Sequence, residues 1–312
     1  MQNDISRRRF ITQTGRACTA AGILSGLPKS VPAQTDAGAV IPDVAAVQGD
    51  PKPSVARAFE LLGGIERFIR PGATVLLKPN VSFPNSERFG STTSPAVVRA
   101  VADLSLEAGA ARVIVADHTM QDSALCFEKT GIAAALDGMD KVKITALDRE
   151  SLYTEVSVPG GRALPAVKIA KLASKCDVVI NMPCAKSHAA TQVSFGLKNL
   201  MGLVWDRTFF HTGTDLHTAI AELATVIRPQ LTLLDATRAL VTGGPTGPGK
   251  VQELHTVIAG TNVLAVDVYT TTIVPWYNRS VTAHSVKHLA LAAELGIGEI
   301  DEKKLSIVKE SV

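Results

Sequence analysis

Four short apolar runs, rich in β-branched residues, limit what this chain can fold into. They are residues 74–78 (TVLLK), 112–116 (RVIVA), 177–182 (DVVINM) and 231–234 (LTLL). Each is too short for a buried helix and too continuously apolar for a half-exposed strand, so each reads as a strand covered on both faces. Between them lie stretches with apolar residues at helical spacing. Residues 54–69 form one, with Ser54 as a candidate N-cap. Residues 94–108 open on Ser94-Pro95, and residues 123–136 are interrupted near Gly131. Helix alternating with buried strand predicts an α/β fold: a mostly parallel, doubly wound sheet with helices on both faces, as one domain or two lobes.

The rest of the chain fits that plan with one addition. Residues 153–158 and 163–169 alternate around Pro159-Gly160-Gly161 and predict a short antiparallel hairpin. Further helices are expected over 216–227, 263–274 and 286–295. Further strands are expected at 142–147, 255–259 and 305–309. No apolar run approaches the roughly 18 residues of a membrane-spanning helix.

Composition separates the N-terminus from the domain. Ser6-Arg7-Arg8-Arg9-Phe10-Ile11 has the form of a twin-arginine export signal. A mildly apolar patch comes next, and Val31-Pro32-Ala33 offers small residues for cleavage. Residues 1–33 are therefore expected to be a leader recognised by the twin-arginine translocase, with Gln34 as the mature start and a periplasmic or otherwise exported location. Residues 34–52, without period, read as a linker, leaving 53–312 as the α/β domain. The leader carries five basic residues and one acidic, of 32 and 29 in the whole chain, so the mature chain keeps 27 basic and 28 acidic, a net of −1. Nothing in that balance supports nucleic-acid binding.

Three cysteines remain beyond the leader: Cys126, Cys176 and Cys184. If the span between the last two is extended, at about 3.3 Å per residue they lie on the order of 26 Å apart, too far for a disulfide. An ordinary iron–sulfur cluster needs four thiolates, and no CxxC spacing occurs. The three read as small buried hydrophobes.

Candidate site residues gather beyond predicted strand ends, where open α/β sheets bind ligands. After the 177–182 strand the chain breaks at Pro183 and supplies Lys186 and His188, then Lys198 and Asn199. Close lysines disfavour each other's charge, and an anion relieves that repulsion, so the cluster suits a carboxylate or phosphate. His188 and His211 are the candidate acid/base groups beside Lys186. Lys78 and Asn80 end another strand. A lysine in an apolar run must exit or find a partner, which leaves an edge lysine and an anion contact as alternatives. Asp235 ends a fourth strand. Asp267, inside a helix, reads as a structural acceptor. The loop Gly244–Lys250 spells GxxxxGK, but Val251 provides no hydroxyl for magnesium, Pro245 and Pro248 remove two amide donors, and a strand comes after it where a phosphate loop needs a helix. Its Gly243 and Gly244 fit better as a wall that lets backbone approach a ligand. No HExxH or GxSxG motif is present. The spacing from His211 to His217 is not a metal-ligand pattern, and although His118, His188 and His211 could assemble a zinc site, nothing in the sequence points to one, so no metal site is expected.

The ordered set LLKPN at 76–80, TSP at 93–95, DVVINMPCAKSH at 177–188, FGLKNLMG at 195–202, LTLLDA at 231–236, TGGPTGPG at 242–249 and LGIGEID at 295–301 resembles the domain of unknown function 362 family. That resemblance implies an α/β fold related to the two-domain lactate-racemase type, and association with iron–sulfur proteins. This chain has no ferredoxin-like cysteine segment, so the iron–sulfur link would apply to relatives only or to a redox partner. Three functions stand as expectations. The first is an anion-binding protein with a Lys/His pocket. The second is a racemase- or isomerase-like enzyme using His and Lys. The third is a non-catalytic accessory module.

Overall fold

The computed structural model describes residues 40–312. The leader reading therefore lies outside the described residues, as does the first part of the 34–52 stretch. The remainder of that stretch is corrected. Strand β1 (Val44–Gln48) is almost wholly buried, and helix α1 (Pro51–Leu61) begins directly after it. β1 lies between two other strands and is covered on both faces, so its sequence VAAVQ shows no alternation and resembles a linker. α1 starts before Ser54 because Pro51 and Pro53 occupy first-turn positions whose amides would be unpaired anyway. It stops at Gly63 and Gly64, both with positive φ, and not at Ile69.

The chain then alternates as expected. β2 (Thr74–Pro79) leads to α2 (Pro95–Glu107), and β3 (Arg112–Asp117) to α3 (Ser123–Lys129) and α4 (Ile132–Leu136). After β4 (Val142–Ala146), β5 (Tyr153–Ser157) and β6 (Ala166–Ala170) form the antiparallel hairpin as a separate two-stranded sheet. A turn of helix, α5 (Leu172–Lys175), enters β7 (Val178–Met182).

The segment after β7 is not a loop. β8 (Cys184–His188) continues beyond Pro183 as a second, fully buried strand, and β9 (Gln192–Ser194) folds back on it. Then come α6 (Gly196–Asn199), α7 (Arg207–Thr212) and α8 (Leu216–Val226). β10 (Leu231–Leu240) is longer than its apolar core because it serves two neighbours. Its first half pairs with β7 and its second half with β8. β11 (Val251–Gly260), α9 (Val263–Thr270), α10 (Lys287–Glu294) and β12 (Ile307–Ser311) complete the fold.

The main sheet runs β12-β1-β11-β10-β7-β2-β3-β4, with β8 and β9 branching from β10. Along that path only β11 runs against the others. Strand periodicity divides the core in two. Val75, Leu77, Val113 and Ile180 pack on one face against α1 to α4. Leu76, Ile114, Val179 and Leu234 pack on the other against α8, α9, α10 and the hairpin. A fully buried side chain of this kind contributes roughly 1.5–3 kcal/mol. Helices thus cover both faces, as the sequence predicts. Among the described residues no helix is long and apolar enough to cross a membrane.

Candidate functional site

The carboxyl ends of β2, β3 and β7 meet the β8–α7 excursion, and the polar residues of these ends connect through a buried network. Lys78 Nζ donates to Asn199 Oδ1 at 2.9 Å and to the Pro79 carbonyl at 2.7 Å. It also lies 2.8 Å from Asp117 Oδ1, an ion pair not aligned as a good hydrogen bond. Asp117 Oδ2 accepts from the Val81 amide at 2.8 Å. Asn199 Nδ2 donates to the Lys78 carbonyl and to Asn181 Oδ1. Asn80 Nδ2 donates to Asn199 Oδ1 at 3.1 Å, and Asn80 Oδ1 accepts from Lys186 Nζ at 3.0 Å. The network requires Gly202, where a Cβ would overlap Asp117 Oδ1 and the Lys78 amine.

Above this network opens a cavity of about 290 Å³. Lys186, Lys198 and Arg207 line it with His188 and His211, and its apolar wall is Phe83, Met120, Met201 and Pro245. None of its 14 lining residues is an Asp or Glu. Lys186 is held by Asn80 and by the Ser91 carbonyl at 2.6 Å, with its ammonium 5.5 Å from the Phe83 ring centre. Lys198 is buried, and its Nζ has Met201 Sδ at 3.6 Å and no oxygen acceptor among the described residues. Burial, with help from Lys186 and Arg207, pushes the Lys198 amine down to about 7. Arg207, half-buried at the start of α7, has no ion pair among the described residues.

Both histidines are held neutral. His188 is pushed down to about 2, first by burial and then by Lys198 and Lys186. Its Nδ1 accepts from the Ala190 amide at 3.1 Å, so the neutral ring carries its proton on Nε2. His211, exposed on α7, is lowered by burial of its ring and by Lys198 and Arg207.

The other expected site residues fall around this cavity in different ways. Asn80 and Asn199 line it, whereas Lys78 stands behind them with its donors already engaged. Asp235 is buried elsewhere, accepting from Ser94 N at 2.6 Å and from Thr237 N and Oγ1. Gly243 and Gly244 do not line the cavity, but their neighbour Pro245 does. Gly244 N donates to Ser187 Oγ at 3.1 Å and so ties that loop to β8. Asp267 is the structural acceptor expected. Its carboxylate takes the Gly196 and Leu197 amides at 2.7 and 2.8 Å and fixes the start of α6. Asp117 and Arg207 are site residues that sequence reasoning misses. Asp117 ends β3, whereas Asp235 lies within β10, and Arg207 precedes His211 by four residues on α7; Asp117 and Arg207 are visible in the sequence but have no partner there to single them out.

His118 is not brought to His188 and His211. Its Nδ1 donates to the Val204 carbonyl at 2.8 Å and its ring stacks on Trp205. Among the described residues no group of three or more His, Cys, Asp and Glu side chains is placed to hold a metal. The cysteines do not fit an iron–sulfur cluster. Cys126 and Cys176 lie in the cores on opposite sides of the sheet, Cys184 is on β8, and burial raises all three thiols above their ordinary range. A larger cleft of about 590 Å³ beside β1, β11 and β12 carries Glu253, Lys309 and Glu310, mixed charges of which none is buried.

The profile of the family described as Domain of unknown function (DUF362) matches residues 75–272. The chain belongs to this family. The DUF362 segment contains every residue that lines the cavity, and leaves β1, α1, α10 and β12 outside it. A thylakoid-associated protein, sll1697, from Synechocystis sp. is 31% identical over 233 residues, covering 70% of this chain and 68% of that protein. Among solved structures, the lactate racemase apoprotein from Thermoanaerobacterium thermosaccharolyticum matches with a TM-score of 0.45 and 14% identity. That match covers 70% of this DUF362 chain and 54% of the racemase, so the chain spans about half the racemase's length.

Proposed function

We propose that this protein is exported by the twin-arginine route and binds a small anion in the cavity between β8 and α7. The observation that carries this is the lining: two lysines, an arginine and no carboxylate around one cavity. The neighbouring carboxylate, Asp117, is already neutralised by Lys78. An anion with a carboxylate or phosphate group supplies what Lys198 and Arg207 lack. In this reading an iron–sulfur centre belongs to a redox partner protein, since the cysteines here do not fit one.

Calorimetric titration of the full chain with malonate and with phosphate tests the pocket. Binding of at least one is expected. Lys186→Ala and Arg207→Ala should each weaken it by roughly ten- to a hundredfold, the worth of one charge-assisted hydrogen bond. Absence of binding by either anion, or unchanged affinity in both variants, overturns the assignment. An enzymatic version, with His and Lys acid–base chemistry of a racemase or isomerase kind, is favoured by one observation: Lys198 is set near neutrality, where a group can both take and give a proton. Without it the pocket serves an accessory binding module.

A further inference from the structure

We propose that Lys198 is an imine-forming nucleophile, and that the anion bound here is a small aldehyde or ketone carrying a carboxylate. This rests on the anion-pocket reading above. Three buried lysines surround the site, and their surroundings differ. Lys78 is engaged by Asp117, Asn199 and the Pro79 carbonyl. Lys186 is engaged by Asn80 and the Ser91 carbonyl. Lys198 alone of the three has only a thioether beside it, and sulfur of that kind is a weak acceptor.

Its position is nevertheless fixed. Asp267 holds the first two amides of α6, and Phe195, just before α6, packs edge-on against the buried Trp276 at 5.0 Å. A buried ammonium without an oxygen acceptor is costly, and nearby cations add to that cost. The amine therefore rests neutral in a large fraction of molecules at neutral pH, with its lone pair free for attack.

The rest of the lining suits the partner in that reaction. Lys186 and Arg207 supply charge for the carboxylate. His188 offers its Nε2 proton to the carbonyl oxygen, because its Nδ1 is occupied by the Ala190 amide. In the step, the Lys198 nitrogen pair forms a C–N bond with the carbonyl carbon, and a proton moves from nitrogen to the former carbonyl oxygen. The second N–H proton then passes to that hydroxyl as its C–O bond breaks, so water leaves and a C=N bond remains. No oxidant or reductant takes part.

Glyoxylate is a probe small enough for the cavity. The full chain is incubated with glyoxylate and cyanoborohydride near neutral pH, digested, and mapped by mass spectrometry for carboxymethyl-lysine. Lys198 should be labelled at least about tenfold faster than exposed lysines, since an ordinary lysine is only about one part in a thousand neutral at that pH. Malonate, which cannot form an imine, should slow the labelling. Lys198→Arg should remove the labelled peptide, with circular dichroism confirming the fold. Labelling of Lys198 no faster than that of exposed lysines overturns the proposal from the unmodified chain alone. Titration with malonate and phosphate separates the two failures. Binding of malonate or phosphate without preferential labelling sinks the imine and leaves the anion pocket standing, whereas binding of neither anion together with no preferential labelling removes both.

Discussion

Lys78 and Asp117 set an amine 2.8 Å from a carboxyl oxygen inside the sheet, with side chains 1% and 0% exposed. Burial lowers the Lys78 amine, and Asp117 opposes that shift. Removing one partner leaves the other charge buried alone. Lys78→Met should cost about 3–5 kcal/mol in chemical denaturation, and adding Asp117→Leu should restore much of it. A single variant as stable as the parent would show that the pair carries no such energy. At this scale much of the site is legible in the sequence. Lys186, His188, Lys198 and Asn199 stand out because cationic and amide groups amid small apolar residues have few ways to face water. Lys78 is legible as a lysine needing a partner, yet the partner is not. Asp117 lies 39 residues away, on a strand whose pairing with β2 exists only in the folded sheet.

Elements pack through surfaces that are mostly apolar, and the interface of α8 with α10 is an exception. His288 is fully buried there, its ring 5.8 Å from that of His217, and neither of its nitrogens has a hydrogen-bond partner. Burial, then His217 and Lys198, push His288 down to about 3. Between its unfolded value of about 6.5 and about 3, the unfolded chain takes up a proton that the folded chain refuses, so stability falls as pH falls through that window. His288→Leu should leave stability equal or higher at neutral pH. It should also remove up to about 1.4 kcal/mol of loss per pH unit below 6.5, read from denaturation curves at several pH values. Identical pH slopes for variant and parent would contradict this. Most elements are readable from period and punctuation, but two strands are not. β1 hides because a strand covered on both faces need not alternate. β8 hides because Pro183 looks like an end, while the chain resumes alongside the second half of β10, where the Asp235 amide donates to the Pro183 carbonyl at 2.8 Å.

At the scale of the whole molecule, β1 sets how much N-terminal chain is dispensable. It is held between β11 and β12, and cleavage after Ala33 would fall ahead of it. The proposed export therefore makes a joint prediction. N-terminal sequencing of exported protein should begin at Gln34, and its melting temperature should match that of the full chain. Arg7→Lys with Arg8→Lys should hold the protein in the cytoplasm. Export unaffected by that double change would remove the twin-arginine assignment. The excursion from β7 to β10 bears a different consequence. It leaves one strand and re-enters the one beside it, so both its ends are pinned at neighbouring positions in the sheet. Within it lie Lys186, His188, Lys198, Arg207 and His211, whereas the Lys78–Asp117 pair lies outside. The proposed ligand contacts thus fall mostly in one tract of the gene, and a recipient of that tract would have to supply Lys78, Asn80 and Asp117, which meet the excursion's own Asn199, Lys186 and Gly202.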